Sequence, residues 1–312
     1  MQTDEIFILI LGGGGQVGTA LTRQQWPSNV RLSAPPRALL DITDKAALAS
    51  AIGSRKWSCV INCAAYTAVD AAESDPETAW PINAVGPALL AAATAKAGIP
   101  ILHLSTDYVF DGMASHAYKP SDPVRPLSVY GRSKAAGEEG VRDANPRHVI
   151  LRTSWIVSPF GKNFVKTMLH LADRRESLNV VDDQSGRPTS AIDLAAALQL
   201  ITFQMISEPQ PSIGTYHFAN AGRTTWYDLA CATMSGAHQR GAPSMPVAAI
   251  ATAAYQTKAH RPLRSELCTA DFERDFNLAP RPWQSALDEI LDALLLPGQR
   301  VREAEATSDR RR

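Results

Sequence analysis

The stretch SVYGRSK, residues 128–134, sets Tyr130 and Lys134 four positions apart. On a helix that spacing puts both side chains on one face. A phenol that titrates at about 10 in isolation is drawn toward its ionised form by an adjacent ammonium, so Tyr130 could exchange a proton with a carbonyl oxygen near neutrality. Alone, the pair is a weak signal, met equally on the wet face of any helix. Its meaning depends on its surroundings. Just upstream, STDYVF offers Ser105 and Thr106, hydroxyls able to orient a carbonyl.

A second cluster lies near the N-terminus. In ILGGGGQVG, Gly13-x-Gly15-x-x-Gly18 fits the dinucleotide fingerprint, and Gly12-x-x-Gly15-x-x-Gly18 fits its wider variant. Glycines there permit a tight turn, a close approach of backbone to a pyrophosphate, and tight packing of helix on strand. The free N–H groups of the helix start then face the phosphates. After the second strand the chain reads LSAPPRALLDITD, with Pro36 and Arg37 where an NAD site would carry an acid. A guanidinium suits a 2′-phosphate. The reading therefore leans to NADPH, with NADH as the alternative. Hydride donor, proton donor and carbonyl-orienting hydroxyl together describe a carbonyl reductase.

The elements that must position these groups alternate in the βαβ rhythm of a parallel sheet. Strands are expected over 5–11, 30–34, 58–65, 100–106 and 148–154. A helix follows the glycine loop, and another runs from a Thr43 or Asp44 cap to Gly53. An alanine-rich helix is expected to end at AKAG, and VYGRSKAAGEEGVRDA is helical. Past Trp155 the rhythm breaks. Helices are expected over NFVKTMLHLADRRE, TSAIDLAAALQLITFQMI and WQSALDEILDALLL, and strands over LNVVDD and GTYHFAN. The expected fold class is α/β: a Rossmann-type doubly wound parallel sheet with a smaller C-terminal α/β substrate domain. Residues 1–155, with roughly 188–219, form the dinucleotide-binding domain. Residues 156–187 and 220–300 form the substrate domain, and 301–312 a flexible tail.

Thirty-one basic and thirty-one acidic residues cancel, so no global field favours nucleic acid or an anionic membrane. Cys59, Cys63, Cys231 and Cys268 show neither C-x-x-C pairing nor zinc spacing and read as reduced thiols. The first apolar run is too short to span a bilayer, and the chain reads as cytoplasmic.

Taken in order, the glycine loop, INCAAYTAVDAAE, STDYVFDG, YGRSK and RTSWI resemble the extended short-chain dehydrogenase/reductases. More narrowly, they resemble the dTDP-4-dehydrorhamnose reductase family, and DDQSGRPTS and RPLRSEL extend the likeness over nearly the whole chain. The resemblance implies NAD(P)H-dependent reduction of the 4-keto group of a dTDP-sugar. It implies cofactor contacts from Gly12, Gly15, Gln16, Val17, Gly18, Asp41, Ile42, Ala64, Ala65, Tyr66 and Thr67. Thr106 would orient the keto group and Tyr130 protonate it, with Lys134 holding the nicotinamide ribose and polarising Tyr130. Thr106, Asp107, Trp155, Asn163, Gln184 and Arg261 are the substrate candidates. Departures from the family pattern include Leu104 for an aromatic residue and Arg264 for an asparagine. Positions near Ala20 and Ile192, where some members use carboxylates to bind magnesium at a dimer interface, are not acidic. The expectation is therefore no metal and a monomer or weak homodimer. The alternatives are a non-catalytic subunit of the methionine adenosyltransferase regulatory type, or a reductase or epimerase acting on another nucleotide sugar.

Overall fold

The computed structural model describes residues 5–296, so the expected tail over 301–312 lies outside the described residues. The chain runs β1 (Ile6–Leu11), α1 (Gln16–Arg23), β2 (Val30–Ser33), α2 (Lys45–Gly53), β3 (Cys59–Asn62), α3 (Val69–Ala72), α4 (Pro76–Trp80) and α5 (Gly86–Lys96). It continues through β4 (Ile101–Thr106), α6 (Val129–Ala144) and β5 (His148–Thr153). These five strands and Gly214–His217 form one parallel sheet in the order β2, β1, β3, β4, β5, Gly214–His217. The fold is α/β and Rossmann-type, as expected.

Burial on both faces explains why β1 is apolar without interruption. Ile8 and Ile10 enter one core with Val17 and Leu21 of α1 and with Leu194 and Leu198 of the long helix Ala191–Ser207. Leu9 and Leu11 enter the opposite core with Leu48 of α2, Leu90 of α5 and Val141 of α6. The chain leaves β1 toward β2 on one side and returns to β3 on the other. The carboxyl ends of β1 and β3 therefore flank a topological switch point, where α/β sheets open a crevice.

One expectation needs correction. The alanine-rich region is not a single helix. Asp75 caps α4 by accepting from the Thr78 amide, and Pro81 opens a wide π-turn over Pro81–Val85 before α5 begins. Proline lacks the N–H that would continue the α-helical ladder. The helix following β2 is capped by Asp44, whose carboxylate accepts from the amides of Ala46 and Ala47.

Beyond β5 come α7 (Phe164–Ala172), α8 (Ala191–Ser207), α9 (Trp226–Gln239), α10 (Ala270–Phe276) and α11 (Trp283–Leu295). Helix α8 returns to the sheet, and α10 adds Phe272 and Phe276 to the core it shares with Ile8 and Ile10. Helices α7, α9 and α11 build separate apolar clusters around Val165, Leu229 and Leu287, and around Met168 and Met234. A short parallel pair, Leu178–Val181 with Val247–Ile250, lies beside them. All four cysteines are free thiols. Among the described residues no helix is long and apolar enough to cross a membrane.

Candidate active site

The glycine turn has the shape a dinucleotide needs. Gly12 sits at φ 79°, and a Cβ there would come 2.5 Å from the Ala64 nitrogen. A Cβ on Gly18 would come 2.3 Å from the Gly12 carbonyl oxygen. Gly12 and Gly18 are thus required by the backbone, and a Cβ on Gly13 would crowd the Ala34 Cβ at 2.8 Å. Helix α1 starts at Gly15 without a side-chain cap, leaving first-turn amides open to an anionic acceptor. The side chain of Val17 is in the core. Gln16 Oε1 accepts from Ser158 Oγ (2.8 Å) and Asn163 Nδ2 (2.9 Å). Arg37 and Asp41 meet each other, with Arg37 Nε 2.9 Å from Asp41 Oδ2 and the arginine side chain 69% exposed. The Thr43 amide, bonded to Asp41, holds that carboxyl below its usual range. Ile42 is buried under α5, where it faces Gly86.

After β3 the chain turns through Ala64, Ala65, Tyr66 and Thr67. Asn62 Oδ1 accepts from the Ala64 amide at 3.1 Å. Asn83, placed by the π-turn, accepts from the Tyr66 amide and donates both to the Tyr66 carbonyl and to Ser133 Oγ on α6. Sequence reasoning missed Asn83. Its one signal was an amide inside an otherwise apolar helical segment.

Helix α6 is set by two caps. Ser128 Oγ accepts from the Gly131 amide, and Glu73 Oε1 accepts from the Val129 amide at 2.7 Å. Tyr130 and Lys134 then point inward together, both buried. The Thr106 hydroxyl acts on the Tyr130 phenol, drawing its pKa down, and donates to Asp107 Oδ1 at 3.0 Å. Tyr108, which was not a candidate residue, packs edge-on against Tyr130 with ring centroids 5.5 Å apart. Burial pushes the Asp107 carboxyl up to about 6, against the pull of the Ser265 and Thr106 hydroxyls.

The expected ionisation of Tyr130 is corrected here. Burial pushes its phenol up to about 12, opposed by the Thr106 hydrogen bond and reinforced by the Asp107 charge. Lys134 Nζ turns instead to the Leu104 carbonyl (2.7 Å) and to His103 Nε2 (3.4 Å). Burial brings the lysine down to about 8, while Glu138 and Cys63 act to raise it. At neutral pH Tyr130 is therefore a protonated donor, suited to an oxygen that gains charge as it is reduced.

The outlying substrate candidates are placed as follows. Trp155 adopts φ 48°, a left-handed backbone that a bulky residue holds only under constraint. Its ring stacks on Trp226 at 3.7 Å and 10°. Asn163 caps α7 and is saturated by Gln16, Ser158 and Phe160. Gln184, buried, donates to Thr252 Oγ1. Arg261 grips Asp70 of α3 at 2.6 Å and 3.1 Å. A cavity of about 740 Å³ joins Tyr108, Gln184 and Arg261 with Arg175, Phe164 and Trp226. Ser105 Oγ is buried without a hydrogen-bond partner among the described residues. Among those residues no three His, Cys, Asp or Glu side chains gather into a metal-binding group.

A family model described as the RmlD substrate binding domain matches residues 6–296. Over 293 residues, 94% of this chain and 99% of the relative, the chain is 40% identical to a dTDP-4-dehydrorhamnose reductase of Sinorhizobium fredii. Among solved structures it is similar to a dTDP-4-dehydrorhamnose reductase from Clostridium acetobutylicum, with a TM-score of 0.87 and 37% identity over 93% of this chain and 99% of that one. The Bacillus anthracis dTDP-4-dehydrorhamnose reductase, solved in complex with NADP, gives a TM-score of 0.86 and 31% identity over 92% and 98%. With the glycine turn, the Thr106–Tyr130–Lys134 cluster and a match running from the first strand to the last helix, the chain belongs to the RmlD family of dTDP-4-dehydrorhamnose reductases.

Proposed function

We propose that this protein reduces the 4-keto group of dTDP-4-dehydro-β-L-rhamnose to give dTDP-β-L-rhamnose, using NADPH. The observation that supports this reading is the placement of buried Tyr130 and Lys134 in the first turns of α6, with Thr106 buried at the carboxyl end of β4. The cradle fits a dinucleotide: a Cβ would fill it at Gly12 and Gly18, and the α1 amides are uncapped. Gly12–Gly18 and the Ala64–Thr67 loop would hold that cofactor, with Lys134 at its ribose. When bound, the reduced nicotinamide supplies the hydride.

The chain's own residues do the rest. Thr106 and Tyr130 hold the keto oxygen between two hydroxyls, and Tyr130 releases its phenolic proton to that oxygen as the C–O bond becomes a single bond. Arg37 supports the choice of NADPH through its exposed guanidinium. The dTDP-sugar is the ligand class that suits the 740 Å³ cavity, where Arg175 and Arg261 face a diphosphate and the rings of Phe164 and Trp226 a base. The same reading gives 1–155 and 188–219 to the cofactor and 156–187 and 220–300 to the substrate.

The test is NADPH oxidation by the purified protein with and without dTDP-4-dehydro-L-rhamnose. Tyr130→Phe should lower turnover by about two to four orders of magnitude while leaving NADPH binding intact. Turnover near that of the unsubstituted protein would remove Tyr130 from the mechanism.

A further inference from the structure

Behind Lys134 lie two buried polar side chains, Asn62 and His103, that the mechanism above does not use. Asn62 and His103 are wholly inaccessible, and Lys134 is 2% exposed. The direction of their hydrogen bonds follows from the far end. The Ala64 amide can only donate, so the Asn62 atom it meets at 3.1 Å is the carbonyl oxygen. Asn62 Nδ2 is then the atom 3.0 Å from His103 Nδ1, and it too can only donate. His103 Nδ1 is therefore the acceptor. Because burial and the nearby lysine keep this imidazole neutral, its one proton sits on Nε2, which faces Lys134 Nζ at 3.4 Å.

An N–H aimed at an ammonium is a contact between two donors. It is favourable only when the lysine nitrogen offers a lone pair, as a neutral amine. Nζ keeps its second contact, the Leu104 carbonyl at 2.7 Å, in either form. The other ionisable groups facing Lys134 are Glu138 on its own helix, which is paired with Arg152 of β5, and Cys63 after β3.

We propose that His103 is a positioning residue for Lys134: its Nε2–H, oriented by Asn62 and the Ala64 amide, bonds the neutral amine and so weakens the lysine's grip on its proton. The role rests on the reductase reading of Lys134. It also ties the loop that lines the cofactor crevice at Ala64 to the ionisation of the residue proposed to hold the ribose.

Three substitutions separate this role from packing. His103→Gln keeps an N–H near the Nε2 position, His103→Asn keeps only a partner for Asn62, and His103→Phe keeps ring volume alone. Two pH profiles are read for each: kcat/KM for NADPH oxidation, and the NADPH dissociation constant from tryptophan-to-nicotinamide energy transfer. The basic limb that both profiles show in the unsubstituted protein should disappear in Lys134→Met. In His103→Phe and His103→Asn it should move to higher pH by about half a unit or more, and in His103→Gln it should stay in place.

If all three variants keep the original limb and lose only thermal stability, His103 merely fills space and the proposal falls. It falls equally if the limb survives Lys134→Met. Should His103→Phe fail to fold, the contrast between the Gln and Asn variants decides. Absence of turnover in the unsubstituted protein would instead sink the reductase reading, while the binding profile would still report on the histidine.

Discussion

At the residue scale the governing effect is desolvation, which moves Tyr130 and Lys134 in opposite directions. The phenol is pushed up to about 12, so it stays protonated throughout the usual assay range. The lysine is brought down to about 8. If the charged lysine is the working form, turnover should fall as pH rises through about 8 and should show no tyrosine limb below 11, readable from kcat/KM between pH 6 and 10. The sign follows from burial penalising the ammonium, which therefore gives up its proton early. Arg37 offers a second test. Its Nε is spent on Asp41, and the side chain is 69% exposed, which leaves the terminal nitrogens open, among the described residues, to a 2′-phosphate. Arg37→Ala should weaken NADPH by roughly tenfold or more and leave NADH little changed in the same titration. Equal losses would remove Arg37 from phosphate recognition. The Tyr130–Lys134 spacing was legible because a helix has a fixed period. The direction of the tyrosine's shift was not, because it follows from burial of the phenol beside Asp107, which only the folded chain brings about.

At the element scale α6 is held by more than its apolar face. Glu138, one turn beyond Lys134, meets Arg152 of β5 through two hydrogen bonds of 2.8 and 2.7 Å, with both side chains only 2% exposed. The Arg152 guanidinium also lies 5.1 Å from the Phe110 ring centroid. Breaking such a buried pair leaves one charge without compensation, so Arg152→Met should cost about 3–5 kcal/mol in urea unfolding. Replacing both partners with apolar residues should cost far less. The strands read well from sequence, since runs such as VILRT have no other economical use than a sheet buried on both sides. The long alanine-rich segment read poorly. Composition there favours helix at every position, and only Pro76, Pro81 and Pro87 mark the breaks that bring Asn83 to Tyr66. The Glu138–Arg152 and Glu73–Val129 contacts join residues 14 and 56 positions apart. No local pattern encodes them.

At the scale of the whole molecule two ties join distant parts of the chain across the site. Gln16 on the glycine turn holds Ser158 and Asn163 ahead of α7. Asp70 on α3 holds Arg261, which lines the cavity. The Asp70–Arg261 pair is half-exposed, so its contribution lies in aim more than in stability. Asp70→Asn should raise KM for the sugar nucleotide roughly tenfold, with little change in NADPH affinity or in the unfolding midpoint. A matching loss of NADPH affinity would mean that α3 itself has moved. Glycine loop, tyrosine and lysine were legible as separate motifs, whereas the ties between them come from tertiary pairing alone. The Trp155–Trp226 stack carries a consequence of another kind. Two indoles stacked with centroids 3.7 Å apart and planes nearly parallel behave as a single coupled chromophore, and one of them lines the cavity. The pair should give the protein an exciton signature in circular dichroism. Any occupant that shifts Trp226 would alter that signature, making the molecule its own optical gauge of when the cavity is filled.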